Sequence, residues 1–169
     1  MRIVGRAFVF GDFIDTDVLA PGPYLRKPLP ELAAHCLEAL DPGFARAVRP
    51  GDVVVGGIGF GIGSSREQAV QALLHLGVGC VLARGFARIF FRNAINLGLP
   101  VLCCPDIEVQ AGSELDILPA EGRVLDRSSG RVFQAQALPP RLMEILAAGG
   151  LVPWLQARRS EPRAPARNG

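Results

Sequence analysis

The sequence has no apolar run that approaches the roughly 20 residues needed for a membrane-spanning helix. Its first residues, MRIVGRAFVFGDF, include an early arginine but are broken by Gly5, Arg6 and Asp12, and they carry no small-residue cleavage site. A signal peptide is therefore not expected. These absences predict a cytoplasmic protein with no membrane partner.

The cysteines lack the spacing of a metal or disulfide site. Cys36, Cys80, Cys103 and Cys104 form no CxxC pair, and the last two are adjacent in LPVLCC. This pattern favours buried free thiols on strands over a disulfide framework or a zinc site. No recognised spacing for an iron–sulfur cluster is present either, so we expect no metal and no cofactor in this chain.

Charge is nearly balanced as well. The 169 residues include 18 basic and 16 acidic side chains, and the C-terminal ARRSEPRAPARNG alone holds four arginines. We expect one domain over residues 1–156, followed by a basic, Pro/Arg-rich and disordered tail over 157–169. Binding of nucleic acid would require a basic face on the folded part, and none is indicated.

Strand and helix patterns alternate along the chain. Apolar, β-branched runs predict strands at residues 2–10, 52–57, 79–84 and 99–104. Apolar residues at helical spacing predict helices at residues 29–40, 66–76, 87–98 and 140–150. Residues 114–136 are punctuated by AEG and SSG, which indicates antiparallel hairpins. This order predicts an α/β protein with a mostly parallel core sheet, flanking helices and added antiparallel hairpins.

The stretch GIGFGIGSSRE, residues 57–67, leads from a strand into a helix, but it is not a standard nucleotide loop. The dinucleotide pattern lacks its third glycine, and no lysine follows the glycines as in phosphate loops. What remains is a helix N-terminus that carries Ser64, Ser65 and Arg66. Ser64 and Glu67 have the spacing of a capping box. Alternatively, the free amides and the Arg66 fork bind a di- or tricarboxylic acid.

Three motifs, in the same order, carry a resemblance to a known family. GDFIDTDVLAPGPYL, GFGIGSSREQA and FARIFFRNAINLGLPVL are similar to motifs of the small subunit of 3-isopropylmalate dehydratase, the swivel domain of the aconitase superfamily. The resemblance covers residues 5–150. It implies a β/β/α swivelling domain and a hydro-lyase of two chains, assembled as a heterodimer or heterotetramer. In that family the large subunit carries a [4Fe-4S] cluster, and the enzyme isomerises 2-isopropylmalate and 3-isopropylmalate by dehydration and rehydration in leucine biosynthesis.

The resemblance also implies roles for individual residues. Ser64 matches the serine that acts as the base at the substrate carbon, and Ser65 and Arg66 match residues that hold a carboxylate. The residues matching those that read the variable side chain of the substrate are Tyr24, Leu25, Arg26 and Lys27. The residues matching supports of the active-site loop are Asp15, Thr16, Asp17 and Glu67. Taken alone, aspartates at these positions are more typical of turns.

Two positions depart from the usual residues of the family. This chain has Gly59 where the family usually has Asn, and Ile62 where it often has Cys. His35 and His75 lie in helical patterns and are interpreted as structural or surface residues. The alternatives are the small subunit of homoaconitase or of another substituted-malate dehydratase, and a non-catalytic carboxylate-binding module.

Overall fold

A computed structural model describes residues 1–160, which form one seven-stranded sheet with helices around it. The strands are β1 (Ile3–Val9), β2 (Val53–Gly56), β3 (Cys80–Ala83), β4 (Val101–Cys103), β5 (Glu114–Leu118), β6 (Arg123–Asp126) and β7 (Val132–Gln134). The helices are α1 (Thr16–Leu19), α2 (Leu29–Ala34), α3 (Phe44–Ala47), α4 (Glu67–His75), α5 (Arg88–Leu97), α6 (Pro140–Ala147) and α7 (Leu151–Ser160), with a 3-10 helix at Gly22–Tyr24. None of these helices has the length and apolar character needed to cross a membrane.

The sheet combines a parallel and an antiparallel half. Its strand order is β4-β3-β2-β1-β5-β6-β7. The first four strands pair in parallel, whereas β5, β6 and β7 continue the sheet from β1 as an antiparallel meander. Every residue of β2 and β3 is buried, as expected for central strands covered by helices on both faces. The predicted α/β fold, with its parallel core and added antiparallel strands, is confirmed.

The parallel half determines where a site can form, because the carboxyl ends of its strands lie at the same edge of the sheet. The loop after β1 runs beside the loop after β2 at this edge. The backbone N–H of Phe13 donates to the carbonyl of Ile58 at 2.7 Å, and that of Thr16 donates to Ile62 at 2.8 Å. The two motifs GDFIDTD and GIGFGIGSSR, far apart in sequence, are therefore paired in space.

The helix predicted over residues 29–40 is wrong in its C-terminal half, since α2 ends at Ala34. Leu37 has a φ of 60°, in the left-handed region, and its N–H donates to the carbonyl of Val18 at 2.9 Å. Cys36 and Leu37 are both fully buried. Burial of these two side chains and the bond to α1 favour a turn over further helix, although the apolar spacing is helical.

The last helix, α7, is absent from the sequence prediction and includes the predicted domain boundary at residue 156. Its Trp154 ring donates a hydrogen bond from Nε1 to the Glu144 carboxylate of α6 at 3.2 Å. The Arg158 guanidinium lies 4.7 Å from the centre of the same ring. Residues 157–160 of the predicted tail are thus helical, and residues 161–169 lie outside the described part of the chain.

One buried carboxylate joins β1, β5 and the turn after β6. Asp116 accepts two hydrogen bonds from Arg2, at 2.6 and 2.8 Å, and one from Arg127 at 2.8 Å. The two bonds from Arg2 and then the one from Arg127 hold the pKa of Asp116 well below its usual range. The folded state therefore favours the ionised form of this carboxylate.

We expect Asp116→Asn to lower the free energy of unfolding at neutral pH and to lower it by a smaller amount in acid. Because the folded-state pKa is depressed, this stabilisation is present above the unfolded pKa of about 4 and disappears as the pH falls through the folded value. Denaturant midpoints at pH 7 and pH 3 should show a gap between wild type and variant that shrinks in acid. The matched control is Glu108→Gln at an exposed ion pair with Arg131, which should change little at either pH. A gap for Asp116→Asn that does not depend on pH would contradict this assignment.

Candidate active site

The loop between β2 and α4, residues 57–66, is held in place from two sides. Phe60 is fully buried and packs edge-on against Phe90 of α5, with ring centroids 5.2 Å apart. The Phe60 N–H donates to the carbonyl of Gly85 after β3 at 2.9 Å, and the Gly61 N–H donates to that of Ile14 after β1 at 2.7 Å. The loop therefore presents its last residues from a fixed base.

Ser64 and Ser65 lie exposed at the end of this loop. The preceding residue, Gly63, has a φ of 98°, and a Cβ at this position would come within 2.6 Å of a carboxylate oxygen of Asp15. Only glycine accommodates both the backbone conformation and the close approach of Asp15. Gly63 thus determines the direction in which the two serines leave the loop.

The capping box considered for Ser64 and Glu67 does not form. Helix α4 begins at Glu67, its N-cap is Arg66, and no side chain caps it. The Ala69 N–H donates to the Arg66 carbonyl at 3.2 Å, and the N–H groups before it have no acceptor within the helix, so this N-terminus carries partial positive charge. The Ser64 hydroxyl is free for another role.

Arg66 is bound to the loop after β1. Its side chain is 20% exposed and forms an ion pair with Asp17, and its Nη1 donates to the carbonyl of Ala20 at 3.1 Å. Asp17 itself is 63% exposed. A guanidinium has five N–H donors, so Arg66 can keep these contacts and still offer donors to a carboxylate.

Asp15 and Thr16 lie directly behind the serine loop. Asp15 is the N-cap of α1 and accepts a hydrogen bond from the Asp17 N–H at 2.7 Å. Thr16 is buried, and its N–H is the donor to Ile62 described above. Asp15, Thr16 and Asp17 therefore contact the loop that carries Ser64, whereas Glu67 is exposed on the first turn of α4.

The segment Tyr24–Lys27 follows Ala20, the residue whose carbonyl binds Arg66. The Lys27 N–H donates to the carbonyl of Tyr24 at 2.9 Å, which closes a turn. Leu25 is half-buried against the core, and Arg26 is exposed without a hydrogen bond or ion pair among residues 1–160. All four predicted substrate-reading residues thus lie in one short turn adjoining the contacts of Arg66.

Two exposed apolar residues near the site were missed by the sequence patterns. Phe13 is 60% exposed with a φ of 55°, and Ile58, to which it is hydrogen-bonded, is 47% exposed. Each is one apolar residue in a glycine-rich or acidic loop, and no periodicity marks it as a surface residue. The sequence signal that could have found them is their presence in loops that have no helical or strand pattern to bury them.

The carboxyl edge of the sheet also contains a cavity of about 260 Å³ between the loops after β1 and β2. Asp12, Arg84 and Glu108 are its charged lining residues. Ser64, Ser65 and Arg66 lie outside it. Ser64 and Ser65 are exposed beside the partly buried Arg66, and they need a covering surface to exclude water.

The cysteines of this chain do not fit a metal centre. Within residues 1–160 no three His, Cys, Asp or Glu side chains are grouped so that they could hold a metal ion. Burial raises the pKa of the thiols of Cys36 and Cys80, and burial followed by the nearby Cys103 raises that of Cys104 to about 11. Cys36, Cys80 and Cys104 are buried, and the described residues offer no group of thiols of the kind that holds an iron–sulfur cluster.

Comparisons with known proteins define the class of this chain. Residues 46–105 match the family model described as the aconitase C-terminal domain. A 3-isopropylmalate dehydratase small subunit from Methanopyrus kandleri is 50% identical over 96% of each chain. A 2,3-dimethylmalate dehydratase small subunit from Eubacterium barkeri is 45% identical over 93% of this chain and 98% of its own.

Solved structures give the same result. A crystal structure of 3-isopropylmalate dehydratase from Methanocaldococcus jannaschii superposes with a TM-score of 0.89 and 44% identity, covering 94% of this chain and 96% of the other. The shared class is thus the aconitase C-terminal domain. Within that class, this chain belongs to the family of 3-isopropylmalate dehydratase small subunits.

The departure at Gly59 is conformationally conservative. Gly59 has a φ of 68°. Asparagine is among the few residues other than glycine that readily adopt this left-handed region. The family's usual Asn and the Gly of this chain therefore suit the same φ, but a Cβ here would come within 2.8 Å of the Phe13 ring, so this exposed ring takes space that an Asn would need.

We expect Gly63→Ala to lower turnover by a larger factor than any loss of folded protein can explain. The new Cβ would push Asp15 away and turn Ser64 from its present direction, and misplacement by about 1 Å can cost about 100-fold in rate. Turnover and thermal unfolding should be measured in parallel. The matched control is Gly85→Ala at the same edge, where the nearest atom to a new Cβ is 4.0 Å away. Equal losses of activity in the two variants would contradict this role for Gly63.

Proposed function

We propose that this chain is the small subunit of a two-chain hydro-lyase that interconverts 2-isopropylmalate and 3-isopropylmalate in leucine biosynthesis. The observation that carries the proposal is the Ser64–Ser65–Arg66 loop, set at the N-terminus of α4 in a chain that matches 3-isopropylmalate dehydratase small subunits over nearly its whole length. The reaction removes a proton and a hydroxide from neighbouring carbons and then returns them in exchanged positions. Each residue of the loop has a part in that exchange.

Ser64 is the base of the proposed mechanism. Its Oγ takes the proton from the substrate carbon and returns it on rehydration. A free serine hydroxyl is a weak base at neutral pH, so the deprotonated form needs local positive charge. The partial charge at the α4 N-terminus and the neighbouring Arg66 supply that charge. The absence of a side-chain cap on α4 supports this role, since no other side chain is hydrogen-bonded to its first N–H groups.

Ser65 and Arg66 bind a substrate carboxylate in this proposal. Arg66 offers a planar fork that matches a carboxylate, and the exposed Ser65 hydroxyl adds a donor beside it. The ion pair with Asp17 and the bond to Ala20 fix the position of the guanidinium before the substrate arrives. Pre-organisation of this kind lowers the cost of ordering on binding.

The second half of the active site belongs to a larger partner subunit. Ser64 and Ser65 are exposed, Arg66 is partly buried beside them, and the exposed Phe13 and Ile58 belong to the loops that support them. Apolar side chains beside polar catalytic groups are typical of a protein–protein contact that excludes water. We place the [4Fe-4S] cluster on that partner, where its open iron would act as a Lewis acid on the leaving hydroxyl. In this proposal the chain supplies the proton-transfer group and one carboxylate clamp.

The test is turnover by this chain mixed anaerobically with its large subunit, with each chain alone as the control. 2-Isopropylmalate should be compared with 2,3-dimethylmalate, citramalate and homocitrate-type acids. The account predicts turnover only in the mixture, with 2-isopropylmalate preferred. Preference for another acid would reassign the substrate, and no turnover with a partner of proven cluster content would favour a non-catalytic carboxylate-binding module.

Arg26→Ala should change the choice of substrate. Arg26 is exposed in the turn that adjoins Arg66, and one side-chain contact in such a pocket alters discrimination by about tenfold. We expect the ratio of kcat/KM between two alkyl-substituted malates to shift by this amount while the subunits still associate. The matched control is Arg159→Ala, an exposed arginine on α7. An unaltered ratio would remove Arg26 from substrate recognition.

A further inference from the structure

His35 makes two contacts that its interpretation as a generic surface residue does not explain. Its ring stacks on that of Tyr24, with the centroids 3.6 Å apart and an angle of 5° between the planes. Its Nδ1 lies 2.6 Å from the Glu38 carboxylate. The stack holds the ring on one side, and the carboxylate holds the ring edge. His35 is therefore a fixed platform under Tyr24.

This platform lies at the junction between the substrate-reading turn and the loop that binds Arg66. The turn that carries Leu25 and Arg26 is attached to the α2 region through Tyr24 on His35 and through the Lys27–Glu31 ion pair at 3.4 Å. The ion pair is about half exposed at both ends, and exposed pairs of this kind contribute little. Besides the packing of Leu25 against the core, the aromatic stack is thus the main side-chain contact that holds the turn to the α2 region.

The residues after His35 connect the same platform to α1. The N–H of Leu37 donates to the carbonyl of Val18, the neighbour of Asp17 in sequence. Asp17 in turn pairs with Arg66. The segment 35–37 therefore contacts the substrate-reading turn through Tyr24 and, through Val18, the helix α1 that carries Asp17.

We propose that His35 is a positioning residue which, by stacking on Tyr24, sets where Leu25 and Arg26 meet the side chain of the substrate. This inference rests on the proposed function, because it concerns how the same site chooses among substituted malates. His35 itself need not touch the substrate. It acts through Tyr24, and its ring shape matters more than its ability to exchange protons.

The first test needs no activity and uses the isolated chain. Trypsin can cut after the exposed Arg26, whereas the next basic residue, Lys27, precedes Pro28 and is resistant. His35→Ala should speed cleavage after Arg26 by about two- to tenfold, because loss of an aromatic stack frees the turn. His35→Phe loses the Glu38 bond but keeps a flat ring that can stack on Tyr24, so trypsin should cleave it at the wild-type rate. Equal rates for wild type and His35→Ala would overturn the inference.

The second test uses the reconstituted enzyme. His35→Ala should raise KM for the preferred acid by about two- to tenfold and reduce the preference between alkyl-substituted malates, with kcat little changed. His35→Phe should restore both, which a general loss of stability would not produce. If the wild-type enzyme is active and His35→Ala has the same KM and the same substrate preference, the positioning role is contradicted. If the wild-type mixture turned over no acid, the proposed function would fail, while the proteolysis result would still decide whether His35 anchors the turn.

Discussion

Ser64→Ala should lower turnover by the mixed subunits by about 10²- to 10⁴-fold, the contribution of a positioned proton-transfer group. The hydroxyl lies exposed on a loop whose backbone is fixed by other residues, so its removal creates no cavity and breaks no hydrogen bond among the described residues. Thermal unfolding and association with the large subunit should therefore stay as in the wild type. A loss of turnover with both preserved would assign the effect to chemistry.

The neighbouring serine provides the comparison for this result. Ser65→Ala removes an equally exposed hydroxyl one residue away, and we expect it to act mainly through KM, because Ser65 is proposed to bind a carboxylate rather than to move a proton. Steady-state kinetics of the two variants, measured with the same large-subunit preparation, separates the roles. Wild-type turnover in Ser64→Ala would remove Ser64 from the mechanism.

Arg66→Gln should weaken kcat/KM by about 10- to 100-fold, the size expected when a charge-assisted hydrogen bond to a carboxylate is lost. The guanidinium serves both the proposed carboxylate and the pair with Asp17, so the variant loses the clamp and its support together. Binding of a substrate-like dicarboxylate to the mixed subunits should be measured beside turnover. Undiminished affinity for it would show that the clamp lies elsewhere.

Asp17→Asn separates the two contacts of Arg66. The variant keeps a side chain of the same shape but removes the negative charge that pairs with the guanidinium. We expect a smaller loss than in Arg66→Gln, because the Ala20 carbonyl still accepts from Arg66. A loss equal to that of Arg66→Gln would mean that the pair with Asp17 is needed as much as the arginine itself.

The parallel core and the position of the serine loop are predictable from sequence because local patterns determine both. Strands β2 and β3 are continuous apolar runs, and α4 and α5 have apolar residues at helical spacing that end in glycine. Three ordered motifs then place Ser64 and Arg66 in a known family. None of this requires knowledge of contacts between distant residues.

The remaining features depend on such contacts. Helix α2 stops at Ala34 because Leu37 bonds to Val18, and the capping box fails because α4 begins only at Glu67. Likewise, the stack of Tyr24 on His35 joins a turn to the end of a helix. The spacing of residues along the chain does not show which distant residues are in contact, so sequence patterns alone cannot predict these pairings.

The central claim is that this chain supplies essential residues to an active site shared with a larger subunit. The most direct measurement is turnover of 2-isopropylmalate by a fixed, limiting amount of large subunit to which wild-type chain and Ser64→Ala chain are added in varying proportion. We expect that neither chain alone is active and that turnover falls in proportion to the fraction of Ser64→Ala chain, because the variant occupies the partner without completing the site. Turnover by the large subunit alone, or turnover that is insensitive to the variant at full association, would contradict it.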